Sequence, residues 1–280
     1  MTELRRRMIE DMKLHGLAAG TPQVYVDAVR SLAKPFSRSP DPITEEEIRR
    51  FFVYLTETRK LAPNTIRTHL FAIKFLYRQT LHRSWPTLNL LCVRRPRKLP
   101  TVLSPSEVRR LLNLVRRPAA RMSLTLMYSC GLRVSEATHL RAADIDSRRM
   151  VVCVRGGKGA QDRYVPLPVR TLALLREYRA KYRPAPWLFP SEDPTQPIRP
   201  DAVRKCLQAA LPEAGITKPV ACHTLRHSYA THLLERGMNL RSIQTLLGHR
   251  SCRTTFIYMH LTEATMQAAH QAVNDLMAQR

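Results

Sequence analysis

Acidic side chains are scarce in this sequence. Its 280 residues carry 22 Asp and Glu against 46 Lys and Arg, a formal net charge of +24 at pH 7. That much self-repulsion opposes compaction unless a counter-charge is near, so a polyanion is expected as partner, with nucleic acid the first candidate. The basic residues run through both halves of the chain and are not gathered in a tail, so both halves should face it. The six cysteines (Cys92, Cys130, Cys153, Cys206, Cys222 and Cys252) show no C-x-x-C spacing, which argues against a zinc or redox pair. They read as small apolar residues in a reducing compartment. His223 and His227 stand four apart, but the glutamate of H-E-x-x-H is missing and no third ligand is evident, so no metal is expected. The opening MTELRRRMIEDMK lacks the apolar stretch of a signal peptide, and no apolar run approaches a membrane span. A soluble, cytoplasmic protein is expected. There is no internal repeat and no low-complexity tract.

What is present is a chain of helix signals with one break in period. Residues 3–15 read as a helix stopped by Gly16. Thr21-Pro22 opens a second, with Val24, Val29 and Leu32, ending by Pro35. The loop SRSPDP follows at 37–42. Thr44 and Glu47 form a capping box whose helix runs to about Arg59. A fourth helix opens near Pro63 and places Ile66, Leu70, Ile73 and Tyr77 on one buried face. Arg30, Arg67, Lys74 and Arg78 are candidate phosphate contacts on this four-helix unit, which spans residues 1–90. A basic, proline-containing linker is expected at 91–103. Ser104 then caps a helix carrying Val108, Leu111, Leu112 and Val115, and an apolar helix at 121–129 runs into Gly131. From Met150 the period changes to that of strands: VVCVR and RYVPL read as a hairpin with Lys158 in its turn. Helices are expected at 169–182 and 201–210. The six prolines of 184–200 mark a surface loop. Short helices are expected at 224–236, 239–247, 252–259 and 263–279. The fold class is therefore mainly α with a small antiparallel β-sheet in the larger part, residues 104–280.

The stretch from Cys222 to His260 concentrates the chemistry. His223 and Arg226 stand three apart on a helix whose start is expected at Thr224, where unpaired N–H groups and the dipole favour an anion. Arg133, in GLRVSE, places a second guanidinium at another helix start, followed by Glu136. Two arginines can each meet phosphate oxygens at two points. Lys158, flanked by glycines, is a charge on a tip narrow enough to enter a DNA groove. His249 follows a helix-ending glycine, and Tyr258 comes nine residues later. A phenol with a pKa of about 10 is a poor nucleophile until cations lower it. Its attack on phosphorus gives a phosphotyrosyl ester. Arg133, Arg226, His223 and His249 are the groups placed to absorb the developing charge without a metal. Each residue taken singly also has a plain structural reading, and Tyr164 and Tyr229 are rival nucleophiles. The case rests on the ordered set.

That set resembles the tyrosine recombinase (phage integrase) family. The stretches GLRVSE, RGGKG, HTLRHSYATHLLERG, IQTLLGH and the tyrosine of FIYMH are similar to the family's boxes in identity, order and spacing, and LFPS at 188–191 also resembles a family segment. The resemblance implies an N-terminal helical core-binding domain and a C-terminal catalytic domain, closing as a C-shaped, two-domain clamp on double-stranded DNA with paired recognition arms. It implies that Arg133, Lys158, His223, Arg226 and His249 assist Tyr258, with Lys158 as general acid for the 5′-oxygen. It implies four protomers on two duplexes, work at the nucleoid of a bacterial-type cell, and no cofactor. Integration or excision of a mobile element is expected. The alternatives are chromosome-dimer resolution, a DNA-relaxing topoisomerase, or a silent DNA-binding protein of the same fold. The 263–279 helix, with Met266, Ala269, Val273 and Leu276, can pack on a neighbouring protomer or on its own domain.

Overall fold

The computed structural model describes residues 2–18, 20–86, 88, 100–155, 162–248 and 255. Lys158, His249 and Tyr258 lie outside these, as do residues 91–99 of the expected linker and the expected helix at 263–279. So does the 252–259 helix, apart from Thr255, which is helical and buried. The chain divides into two compact units, residues 1–98 and 99–280.

The first unit is helical. It contains α1 (Glu3–Leu14), α2 (Thr21–Phe36), α3 (Glu45–Val53) and α4 (Pro63–Phe75). The Thr44–Glu47 capping box forms, with the Thr44 N–H donating to the Glu47 carboxylate at 2.8 Å. α3 and α4 each continue through one π-helical turn, Tyr54–Thr58 and Leu76–Thr80. Their common core holds Met8, Met12, Leu32, Ile48, Ile73 and Leu76. Tyr77 is also fully buried, stacks on Trp85 with ring centres 4.2 Å apart, and donates its hydroxyl to the Pro40 carbonyl. The expected apolar face of α4 is the buried one, Ile66, Leu70, Ile73 and Tyr77. On α2 the expectation misses by small steps. The helix runs through Pro35 to Phe36, and Val24 is exposed while Val26 is buried.

The second unit begins with α5 (Pro105–Leu114), capped by Ser104, whose N–H donates to Glu107 at 2.7 Å. Then come α6 (Pro118–Ser129), α7 (Val134–Thr138), a three-residue 3-10 turn at Ala142–Asp144, and the strands β1 (Ile145–Asp146), β2 (Val151–Val154) and β3 (Arg163–Pro166). Helices α8 (Val169–Tyr182), α9 (Pro200–Glu213), α10 (Cys222–Glu235) and α11 (Leu240–Leu247) complete the described part. The sheet is antiparallel in the order β1-β2-β3, with Val152 opposite Val165 and Val154 opposite Arg163. β1 is too short for periodicity to reveal. α6 carries buried residues on nearly every side and packs against α5, α7, α8, α9 and α10. α11 packs on α10 and β3.

Residues 183–199 differ from the expected surface loop. They are irregular, yet Leu188, Phe189 and Ile198 are fully buried. The Leu188 N–H donates to Leu140 O and the Ile198 N–H to Phe189 O, both at 2.8 Å. Prolines keep the segment out of helix and sheet, while three large apolar side chains still draw it into the core. α10 begins at Cys222, two residues before the expected Thr224; the Thr224 hydroxyl accepts from the Ala221 N–H at 3.1 Å and fixes the entry. No described helix is long and apolar enough to cross a membrane.

Candidate functional site

Three arginines from three elements meet one glutamate. Glu136 is the third residue of α7, and its side chain is 6% exposed. It accepts the Arg133 backbone N–H at 2.7 Å, which caps α7, and Arg133 Nη1 at 2.7 Å. Arg163, on β3, donates Nη1 and Nη2 to its two oxygens at 2.9 and 2.8 Å. Arg226, on α10, brings Nη1 to 3.7 Å. Burial pushes the carboxyl pKa up. The Arg163 hydrogen bonds, then the Arg133 N–H, outweigh that and hold it at about 2. A carboxylate so deep in the protein is sustained only by such partners.

The same arginines terminate α11. Arg163 Nε donates to Leu246 O at 3.0 Å, Arg226 Nη2 donates to Leu247 O, and Arg133 Nη2 reaches Gly248 O at 3.4 Å. Three consecutive carbonyls at a helix C-terminus thus each receive one guanidinium. Those carbonyls have no partner within the helix, and the dipole favours positive charge there. Gly248 closes the helix at φ +60. A Cβ there would lie 3.0 Å from Arg163 Cδ, so the turn needs glycine for its backbone and for the side chain beside it.

Arg226 does not stand at a helix N-terminus as the sequence suggests. It is the fifth residue of α10, fully buried, and Nη1 donates to Gly131 O at 2.7 Å. Gly131 has φ +65, and a Cβ on it would come within 2.6 Å of the Tyr229 ring. His223 is the second residue of α10 and exposed at its surface. Its pKa is lowered by desolvation, then by Arg226 and Arg133, against the raising effect of Glu136. His227 meets His223 edge-on, ring centres 4.7 Å apart, and is held at about 4 by burial, then by His223 and Arg226. Both imidazoles are therefore shifted towards the neutral form.

The structure thus brings Arg133, Glu136, Arg226 and His223 together. The two rival tyrosines are placed differently. Burial first, then Cys130, pushes the Tyr229 phenol up to about 12 against the opposing effect of Arg226. Tyr164 is exposed, with Arg149 lying 5.2 Å over its ring. Sequence reading passed over Arg163. The available signal was the period of two in β3, which puts Arg163 on the face of the fully buried Val165. The first unit's basic candidates belong to its own helices. Arg30 pairs with Asp27 at 3.1 Å, and Arg67 sits 5.1 Å over the exposed Phe71 ring. Lys74 is half-buried, with a pKa lowered by burial and then by Arg78.

Residues 101–265 match the family model described as Phage integrase family, and residues 4–87 match that of its N-terminal SAM-like domain. The chain is 44% identical over 262 residues to the integrase/recombinase y4qK of Sinorhizobium fredii, covering 93% of this chain and 85% of the relative. It is 35% identical over 262 residues to tyrosine recombinase XerC 2 of Ralstonia nicotianae, covering 86% and 75%. Among solved structures, the lambda integrase dimer bound to a core site matches with a TM-score of 0.74 at 16% identity over 92% of this chain and 94% of that one. XerH bound to its palindromic difH substrate matches with a TM-score of 0.73 at 23% identity over 93% and 82%. The last two matches show the mainly helical fold with its small antiparallel sheet. By sequence over most of its length, the chain belongs to the phage integrase family.

Proposed function

We propose that the chain is a site-specific DNA recombinase that cuts and rejoins duplex DNA through a covalent 3′-phosphotyrosine. The observation that carries this reading is the convergence of Arg133 and Arg226, with His223 beside them, around the buried Glu136. Tyr258 is the nucleophile. Its oxygen bonds to phosphorus, the bond from phosphorus to the 5′-oxygen breaks, and the phenol proton passes to neutral His223. Lys158 protonates the departing 5′-oxygen. Arg133 and His249 stabilise the charge on the non-bridging oxygens, and Arg226 adds its positive charge from its buried place behind them. A 5′-hydroxyl from a second duplex reverses the step, so the ester conserves the bond energy and no cofactor is used.

Residues 104–280 form the catalytic domain in this reading. Residues 1–90 form a DNA-binding domain that meets the duplex through Arg30, Arg67, Lys74 and Arg78, with residues 91–103 as linker. Two duplexes with paired arms are held by four protomers. The integrase name of the 44% relative supports integration or excision of a mobile element as the errand. Incubation with a nicked duplex carrying the DNA that flanks the gene tests the chemistry. The wild type gives a denaturant-resistant adduct, and Tyr258→Phe gives none while still binding the DNA. An adduct that persists in Tyr258→Phe removes Tyr258 as nucleophile. Tight, salt-sensitive binding with no adduct from the wild type leaves a silent DNA-binding protein.

A further inference from the structure

The three arginines around Glu136 are not equivalent. Each nitrogen of the Arg163 guanidinium is committed inside the protein, two to Glu136 and Nε to Leu246 O. Its side chain is 12% exposed. Arg133 is more open, 23% exposed, and its Nη2 bond to Gly248 O, at 3.4 Å, is at the long end for a hydrogen bond. That contact is the one a phosphate oxygen can replace with little loss. Arg163 therefore holds while Arg133 is able to turn outward. A planar fork meeting a carboxylate at two points fixes direction as well as distance.

We propose that Arg163 is a positioning residue for strand cleavage. By gripping Glu136 at two points and Leu246 O at a third, it sets the direction of Arg133. It also sets the place of the Gly248 turn, from which the chain runs on to His249. This rests on the recombinase reading above. Without Arg163, the buried Glu136 loses both lateral donors and the positive charge that lowers its pKa most. It then draws on Arg226, already 3.7 Å away, pulling it from its carbonyls, and on Arg133, turning that guanidinium from the phosphate. The end of α11 loses one of its three guanidiniums at the same time. Lysine in place of Arg163 keeps the charge, but one ammonium cannot span two carboxylate oxygens and a carbonyl.

The experiment is single-turnover cleavage of a nicked duplex, taken from a random-sequence pool by selection for binding to the full chain. Wild type, Arg163→Ala and Arg163→Lys are compared. For Arg163→Ala the rate of adduct formation falls about a hundredfold, as for a misplacement of about an ångström, while the DNA dissociation constant stays within about threefold. Millimolar methylguanidine restores at least about tenfold of the lost rate, because it refills the site between Glu136 and Leu246 O. A merely structural loss would weaken DNA binding together with cleavage, which the dissociation constant reads. A wild-type rate in Arg163→Ala overturns the proposal, and so does a parallel loss of binding and cleavage without rescue. Should Arg163→Ala not fold, Arg163→Lys decides: slow cleavage with intact binding supports the proposal, and a wild-type rate overturns it. If the wild type itself forms no adduct on any selected duplex, the recombinase reading fails, a result distinct from equal rates in wild type and variant.

Discussion

Arg226 and Gly131 are joined by a buried hydrogen bond, Nη1 to carbonyl at 2.7 Å, across 95 positions of sequence. Gly131 can present that carbonyl because its φ of +65 turns the chain at the end of α6, with the Tyr229 ring packed where a Cβ would sit. Gly131→Ala is expected to destabilise the second unit by about 2–4 kcal/mol, combining left-handed strain with overpacking. Gly215→Ala is the control. Its φ is +62, but nothing lies within 4 Å of the added carbon, so only the strain of about 1–2 kcal/mol is expected. Urea denaturation of the two variants checks the difference; equal losses would mean that the Tyr229 contact relaxes freely.

Arg226→Lys tests how much the buried guanidinium does for the fold apart from any phosphate. A lysine ammonium cannot reach Gly131 O and Leu247 O together and leaves at least one buried carbonyl without its donor. A stability loss of about 2–3 kcal/mol is expected in the absence of DNA. If chemical denaturation finds the variant within about 0.5 kcal/mol of the wild type, the carbonyl contacts are incidental.

Most of the helices were legible in the sequence because their ends are written in local chemistry. Thr44 with Glu47 and Ser104 with Glu107 cap where expected, and α4 buries the face its spacing marks. What escaped has a common cause. The burial of Phe189 and the roles of Arg163 and Arg226 are set by contacts with residues far along the chain. Arg163 donates to Glu136, 27 positions away, and to Leu246, 83 positions away. No window of local sequence reports such partners. Of the candidate site, sequence order singled out Arg133, Glu136, His223 and Arg226. It did not reveal that Arg226 faces inward onto carbonyls, because a helical arginine at three-residue spacing from a histidine fits either direction.

Acid should loosen the second unit before any carboxylate does. The His227 pKa is depressed to about 4 from 6.5 by burial, then by His223 and Arg226, and His223 is lowered in the same direction by burial, then Arg226 and Arg133. Between those values the unfolded chain binds a proton that the folded chain refuses. Stability is therefore full above about pH 6.5 and falls as pH drops towards 4. Glu136, depressed to about 2, adds its own loss only below its ordinary value of 4.5. His227→Gln should flatten the decline between pH 6.5 and 4.5, seen as a smaller drop in Tm over that range. An unchanged slope would place the acid sensitivity elsewhere.

Along α4 the exposed Arg67 and Phe71 and the half-buried Lys74 follow at spacings of four and three, with Arg78 four further on in the π-helical turn. Such spacing lines side chains along one side of a helix. Phe71 is 44% exposed and supports the Arg67 guanidinium through its ring face. If this side meets the DNA backbone, each cation releases one phosphate's counterions. Arg67→Ala and Lys74→Ala should each lower the slope of log affinity against log salt by about 1, weakening all DNA sequences alike. Arg6→Ala is the comparison. Arg6 is similarly exposed but lies on α1, outside the proposed contact set, so the slope should not change. Equal slopes for Arg67→Ala, Lys74→Ala and wild type would take α4 out of the DNA interface and leave its basic side as a solvated helix face.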